Sequence, residues 1–361
     1  MENLISKNLN YWKSKKWNKL DLYDYLKQNK NCVIISIIKT NITVLGNKKH
    51  QRLKIVLNFL QDIIKIKPNL NTIFLLNLDD ECYQTNINIY NLKTNKIVNN
   101  ITDTFEYGIC NNNPDLIKIE ESIPTKFNFP IFSFSKTEQQ QEVIIFPHTN
   151  LIQNNFMVDK QSFEQKNNNI PLYRFSNIRA NTYLSSRFEL VELSYKYPKL
   201  IDCKGGSNKP HPKFNDYILD QRFIKLYQNL DIIDKTINNQ EMMKYFNINN
   251  FIDKKSLIQN KYLICNDSYY NLCEYCNLNS VLFRYQPTKT FYYEDFIFTD
   301  LEDIIIFNQN NFESKFNYAY QNPDLMVKFI NKRKSKVNQN LIYNNLVQNY
   351  AELLFHYSKL S

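Results

Sequence analysis

Short, almost wholly apolar runs alternate along this chain with stretches of helical apolar spacing, and no other feature narrows the possible folds as much. Cys32–Ile38 and Thr72–Leu78 are two such runs. Between them, Leu53, Val56, Leu57, Leu60, Ile63 and Ile64 recur at intervals of three and four within Arg52–Ile66, the period of an amphipathic helix. Pro68 marks its end. Strand, helix and strand in this order predict a parallel βαβ unit, with a shorter strand at Asn41–Leu45 closing at Gly46. Ligands of such sheets sit beyond the carboxyl ends of strands, where Asp79 and Asp80 fall.

The alternation resumes near Leu172. Strands are expected at Leu172–Phe175, Lys199–Cys203, Tyr262–Cys265 and Ser280–Tyr285, with helices at Ser186–Lys196, Ile218–Leu230 and Tyr269–Leu278. Leu301–Asn308, Pro323–Lys332 and Leu341–Lys359 are expected to be helices, as is Trp12–Gln28. The Asn-rich residues 84–118 are expected to form hairpins or loops, and Pro130–Lys136 a strand with a polar exit. Two α/β domains follow, at 1–165 and 166–340, with 341–361 a terminal helix that packs back on the first.

A chain of 361 residues, 43% of them hydrophobic, has enough apolar material for two cores. It holds only 4 glycines. No Gly-rich dinucleotide fingerprint and no phosphate loop ending in Gly-Lys-Ser/Thr is present, which argues against dehydrogenase and kinase readings. The net charge of +10 comes from lysines scattered along the sequence. The one dense run, Lys332-Arg333-Lys334 with Lys336, reads as a solvated face rather than a nucleic-acid tract. No apolar run reaches the length of a membrane span. The first residues do not read as a secretory leader, and 7 cysteines without framework spacing fit a reducing compartment. A cytoplasmic setting, host cytoplasm or viral factory included, is therefore expected.

Cys273 and Cys276, with Cys265 nearby, lack the further pair or His that a zinc site needs, so they read as core cysteines and no metal is expected. The 4 histidines make no metal-spaced pair. From position alone, Asp79-Asp80 has three readings: an acidic pair for a divalent ion, a single general base, or a cap at a strand end.

Asn71–Asp80, Phe129–Thr137, Ile144–Pro147, Tyr173–Ser176 and Arg187 ahead of Tyr197–Asp202 together resemble glycosyltransferase family 90, which includes the Rumi-type protein O-glucosyltransferases and the fungal capsule-associated xylosyltransferases. Phe129–Thr137 followed by Ile144–Pro147 is similar to the segment before that family's acceptor loop. Asn71–Asp80 resembles its strand ending in Asn-X-Arg-Asp, and Tyr173–Ser176 its Phe-Arg-Gly-Ser. Arg187, ahead of Tyr197–Asp202, matches an Arg that precedes the family's Pro-Lys-Leu-Val-Asp with the same spacing. Lys261–Leu263, Ser280–Phe283, Thr299–Leu301 and Leu353–Leu360 also fit, in the same order.

The resemblance implies a GT-B-like α/β fold of two Rossmann-like domains facing a central cleft. It implies an inverting transfer of glucose or xylose from a UDP-sugar to a hydroxyl of a protein or glycan, with no metal and no cofactor. The expected partners are thus the UDP-sugar and the acceptor, with no nucleic acid. Asp80 then aligns with the catalytic base, and Ser176 and Arg187 with donor contacts. Arg174 and Arg284 are further candidates for the donor phosphates, and Ser135, Lys136 and His148 for the acceptor side. Three positions depart from the family. Phe175 stands for a Gly, Asn271 for an Arg, and Asp79 for the Arg before the base. A relative that binds a sugar nucleotide or glycan without turnover is the alternative.

Overall fold

The computed structural model describes residues 2–79, 83–98, 115–124, 126–167, 170–175, 186–205, 252–266, 269–286 and 290–360, with some positions between 225 and 250. Asp80 and Ser176 lie outside the described residues, as does most of the helix expected at 218–230.

The first half opens with helices α1 (Glu2–Lys13) and α2 (Lys19–Gln28). The single helix expected over Trp12–Gln28 is thus divided. Asn18 is the reason, since its side chain accepts the Leu20 N–H at 3.1 Å and starts a new helix. Strands β1 (Cys32–Ile38) and β2 (Asn41–Gly46) follow, then helix α3 (Leu53–Ile66) and strand β3 (Thr72–Asn77).

β1 is antiparallel to both β2 and β3, so the parallel unit expected from β1, α3 and β3 is not formed. Lys39 and Thr40 join β1 to β2 with φ of 45° and 68°. Two consecutive positive values make a primed hairpin turn. The chain is therefore already reversed when it enters α3. The helix carries it from β2 over β1 to β3, and β2 and β3 run the same way.

Strands β4 (Tyr83–Asn91), β5 (Lys96–Val98) and β6 (Leu116–Pro124) form a separate antiparallel sheet. The strand expected at Pro130–Lys136 is two, β7 (Ile131–Ser133) and β8 (Ser135–Thr137), followed by β9 (Val143–Ile145) and the short helix α4 (Thr149–Ile152). The first five-stranded sheet has the order β2-β1-β3-β7-β9, with β3, β7 and β9 parallel.

The second half contributes β10 (Leu172–Phe175), α5 (Ser186–Lys196), β11 (Asp202–Gly205), α6 (Lys254–Leu257), β12 (Tyr262–Cys265), α7 (Tyr269–Tyr275), β13 (Val281–Tyr285), β14 (Thr290–Tyr292) and β15 (Ile305–Phe307). Helices α8 (Phe312–Gln321), α9 (Pro323–Asn340) and α10 (Tyr343–Ser358) complete it. Its sheet, β11-β10-β12-β13-β15, is parallel at every pairing.

Leu301–Asn308 forms a turn and β15 rather than the expected helix. Asp303 Oδ1 accepts the Thr299 N–H at 2.6 Å and Asp300 Oδ1 the Ile306 N–H at 2.7 Å. These carboxylates take donors a helix would use, and the β-branched run at Ile304–Ile306 enters the sheet.

Side chains alternate across both sheets as the pleat requires. Ile34, Leu75, Ile131 and Val143 pack with Leu22 of α2 on one face of the first sheet. Val33, Ile35, Phe74, Leu76, Phe132 and Ile144 face the other way, into a core that continues through Leu172, Leu263, Cys265 and Leu282 of the parallel sheet. Tyr173, Ile264, Phe283 and Phe307 fill the opposite face with Phe316 and Phe329 from α8 and α9. Helix α10 returns to the first sheet, where Tyr357 Oη donates to Ile73 O at 3.1 Å and Tyr350 Oη to Ile145 O at 3.0 Å. Among the described residues, no helix is long and apolar enough to cross a membrane.

The basic run on α9 is only partly the solvated face that its sequence suggests: Lys332 is exposed and Lys334 and Lys336 are half-buried, but Arg333 lies in the core. Arg333 is wholly buried and donates to the carbonyls of Cys276, Leu278 and Ser280 at 2.9, 2.6 and 2.7 Å. Lys332 pairs with Glu302, Lys334 donates to Asn279, and Lys336 pairs with Asp303.

Candidate functional site

In the first sheet, β2, β3, β7 and β9 all end at one edge, where β1 begins. Three segments gather there: Leu78-Asp79 after β3, Phe134 after β7 and Phe146–His148 after β9. Asn31, just before β1, donates its side-chain N–H to Asp79 Oδ2 at 2.6 Å. The Asp79 N–H donates to Asn77 Oδ1 at 3.2 Å. Arg52, at the start of α3, donates to Leu78 O at 2.8 Å, and its guanidinium lies 5.5 Å from the Phe134 ring centroid. His50 Nδ1 accepts the Arg52 N–H at 3.3 Å.

Burial pushes the His50 imidazole below its ordinary pKa. Arg52 adds to the effect and Asp79 opposes it, so this ring is neutral at pH 7. A carboxylate, an amide, a neutral imidazole and a guanidinium thus meet at one strand edge. Such a group can orient a hydroxyl and balance the charge of a base beside it. His148 stands at the same edge with a structural duty. Its Nδ1 accepts the Asn150 N–H at 3.2 Å, capping α4, and its ring meets Phe134 edge-on at 5.0 Å.

With only its own strands numbered, the parallel sheet has strand order 2-1-3-4-5. Its switch point lies between β10 and β12, where such sheets form ligand crevices. Arg187, on the first turn of α5, stands 5.8 Å from the ring centroid of Phe175, the last residue of β10.

Arg174 reaches back instead. Its NH2 meets Asp202 Oδ2 at 2.6 Å, and its NH1 donates to Asp202 O and Tyr173 O at 2.8 and 2.9 Å. Burial alone would raise the Asp202 carboxyl, but Arg174 and then Lys204 hold it below its ordinary pKa. Arg284 is wholly buried on β13, with NH2 3.2 Å from Asp295 Oδ2 and NH1 donating to Asn266 O. Both guanidiniums are therefore matched by carboxylates within the chain.

The two halves meet at an antiparallel ladder, in which Ser135, Lys136 and Thr137 of β8 pair with Tyr292, Phe291 and Thr290 of β14. β8 leaves the carboxyl end of β7, and β14 that of β13, so the edges of both sheets feed this ladder. Ser135 is buried on it. Lys136 is buried too, and its ammonium donates to Val143 O at 3.0 Å. Burial pushes its pKa down to about 8, against the pull of Glu142.

The candidate residues thus fall into three places. His148 lies at the first edge, Arg174 and Arg187 along β10 and α5, and Ser135, Lys136 and Arg284 around the ladder. Asn31, His50, Arg52, Asn266 and Asp295 escaped the sequence reading, since none sits in a recognisable motif. Only the placement of Arg52 at the start of an amphipathic helix hinted at its strand-edge position. Cys265, Cys273 and Cys276 are buried thiols in the core, and burial raises Cys265 to about 12, which keeps it protonated and poorly suited to a metal. Compared with known proteins, the chain matches no family model and no curated sequence.

Proposed function

We propose that the chain is an inverting, metal-independent glycosyltransferase of the family 90 type, moving glucose or xylose from a UDP-sugar to a hydroxyl of a protein or glycan. The observation that carries this reading is the convergence of the carboxyl edges of two five-stranded sheets on the single ladder β8–β14. A GT-B cleft between two Rossmann-like domains needs ligand-bearing edges brought together in this way. In this reading the donor lies at the β10–β12 switch point. Arg187 and Ser176 meet the diphosphate there, because a departing diphosphate without a metal needs cationic or N–H donors. The acceptor lies at the first sheet's edge beside Asp79, His50 and Arg52, and Asp80, the next residue in the sequence, takes the hydroxyl proton. The five described free cysteines fit a cytoplasmic setting.

A second reading, a sugar-nucleotide binder without turnover, is favoured by one observation. Arg174 and Arg284 are already held by Asp202 and Asp295, which leaves fewer cations for a leaving diphosphate. Release of UDP from a panel of UDP-sugars separates the two. EDTA-resistant turnover with one sugar, lost in Asp80→Asn, is the expected result. UDP binding without turnover, with candidate acceptors present, favours the second reading, and absence of UDP binding overturns both.

A further inference from the structure

A cleft of about 360 Å³ opens beside β8, between α1 and the turn that follows β14. Its volume is near the lower end for small-molecule sites. Lys136 lines it and is 93% buried by its residue exposure of 7%. Lys7 of α1 lines it as well. The two ammoniums stand 5.6 and 5.7 Å from the centroid of one ring, Phe296. Lys136 also donates to Lys7 O at 3.4 Å, so the two residues are linked. Among the described residues, no carboxylate forms an ion pair with either.

The acids in the lining do not cancel this charge locally. Asp295 is matched by Arg284 at 3.2 Å, and Glu138 is exposed at the rim. The carbonyl partners of Lys136, the Phe296 ring and the charge of Glu142 offset the cost of burying this cation only in part, since burial still outweighs them, and an anion in the cleft would relieve it. The remainder of the lining pairs the ring of Tyr11 with the amides of Asn10 and Gln141. Ring faces and amides together suit a body that carries both C–H and O–H groups.

We propose that this cleft binds a small phosphate monoester with a hydroxyl-bearing body, its phosphate against the ammoniums of Lys7 and Lys136. Lysine ammoniums are point charges that accept a phosphate without demanding a fixed fork geometry. The site is separate from the donor crevice at β10 and β12, and it stands whether or not the chain transfers sugar.

The test is calorimetric titration of the whole chain with glucose 6-phosphate, glycerol 3-phosphate, inorganic phosphate, glucose and sulfate. Saturable binding of a phosphate monoester is expected, with glucose alone failing to bind. Lys136→Met should weaken it about 10- to 100-fold, the range for a lost charged hydrogen bond. Lys7→Ala should weaken it about tenfold or less. Lys7 is exposed on α1, so its variant decides the matter if Lys136→Met does not fold. Three results overturn the proposal: no saturable binding of any phosphate, binding indifferent to Lys7→Ala, or equal binding of sulfate and every monoester, which would mean unselective oxyanion attraction.

Discussion

The two halves of this molecule anchor their sheets with different chemistry. Around the parallel sheet, buried positive charge is the fastener. Arg333 gathers three carbonyls of the connection between α7 and β13, and Arg284 ties β13 to Asn266 and Asp295. Around the mixed sheet, neutral hydroxyls do the equivalent work, Tyr350 and Tyr357 of α10 donating to Ile145 O and Ile73 O. The buried cation on that side is a lysine. Burial pushes Arg333 down to about 10 and Lys136 down to about 8. Lysine can shed its proton near physiological conditions, whereas an arginine at about 10 keeps its charge. Arg333 is therefore committed to its charge, and Lys136 is adaptable.

The largest expected effect breaks the arginine fastener. Arg333→Met strands several buried carbonyls and should destabilise the protein by about 3–5 kcal/mol, read as the midpoint shift in urea unfolding. A loss no greater than that of a tyrosine variant would remove the contrast between the halves. Next is the hairpin that makes the first sheet mixed. Gly46 has φ +112°, and a Cβ there would lie 2.8 Å from Cys32 O. Gly46→Ala should cost about 1–3 kcal/mol, measured in the same way. Tyr357→Phe removes one neutral hydrogen bond and should cost about 0.5–1.5 kcal/mol. A much larger loss would mean that the hydroxyl matters as much as a buried charge.

A further test concerns Lys136 and pH. Its folded pKa of about 8 lies below the ordinary lysine value of 10.5. Between these values the unfolded chain binds more protons, so this residue's contribution to stability rises with pH. Below about pH 8 both states are protonated and the contribution is flat. The stability of the wild type relative to Lys136→Met should thus improve from about pH 8 to 10.5. A constant difference would show that the folded amine keeps an ordinary pKa.

Much of the strand and helix placement was legible because apolar runs and helical spacing dominate, as at Cys32–Ile38, Leu53–Ile66 and Val281–Tyr285. Strand direction was not. It turns on Lys39-Thr40, which forms a primed turn without the Asn-Gly pair that announces one. The Leu301–Asn308 segment misled because its acids look like helix polarity, yet Asp300 and Asp303 spend their oxygens on a turn. The basic run at Lys332–Lys336 concealed a core residue, since nothing in a string of cations reveals that one faces a set of carbonyls. For the site, the strand edge at Asp79 was visible. His50, Arg52 and Asn31 were not, because their convergence depends on the reversed β1.

The return of α10 to the first sheet also bears on how the chain folds during synthesis. Tyr343 donates to Asp62 across 281 positions, and Tyr357 to Ile73 O across 284. Phe59 packs on Tyr343 and Tyr350, and Phe132 on Tyr357. A nascent first half leaving the ribosome thus lacks the helix that covers these aromatics until almost all of the described chain has been made. Closure of such distant contacts is slow, and the open apolar face is exposed to aggregation in the interval. Of the two five-stranded sheets, the one that is translated first is the one that is closed last.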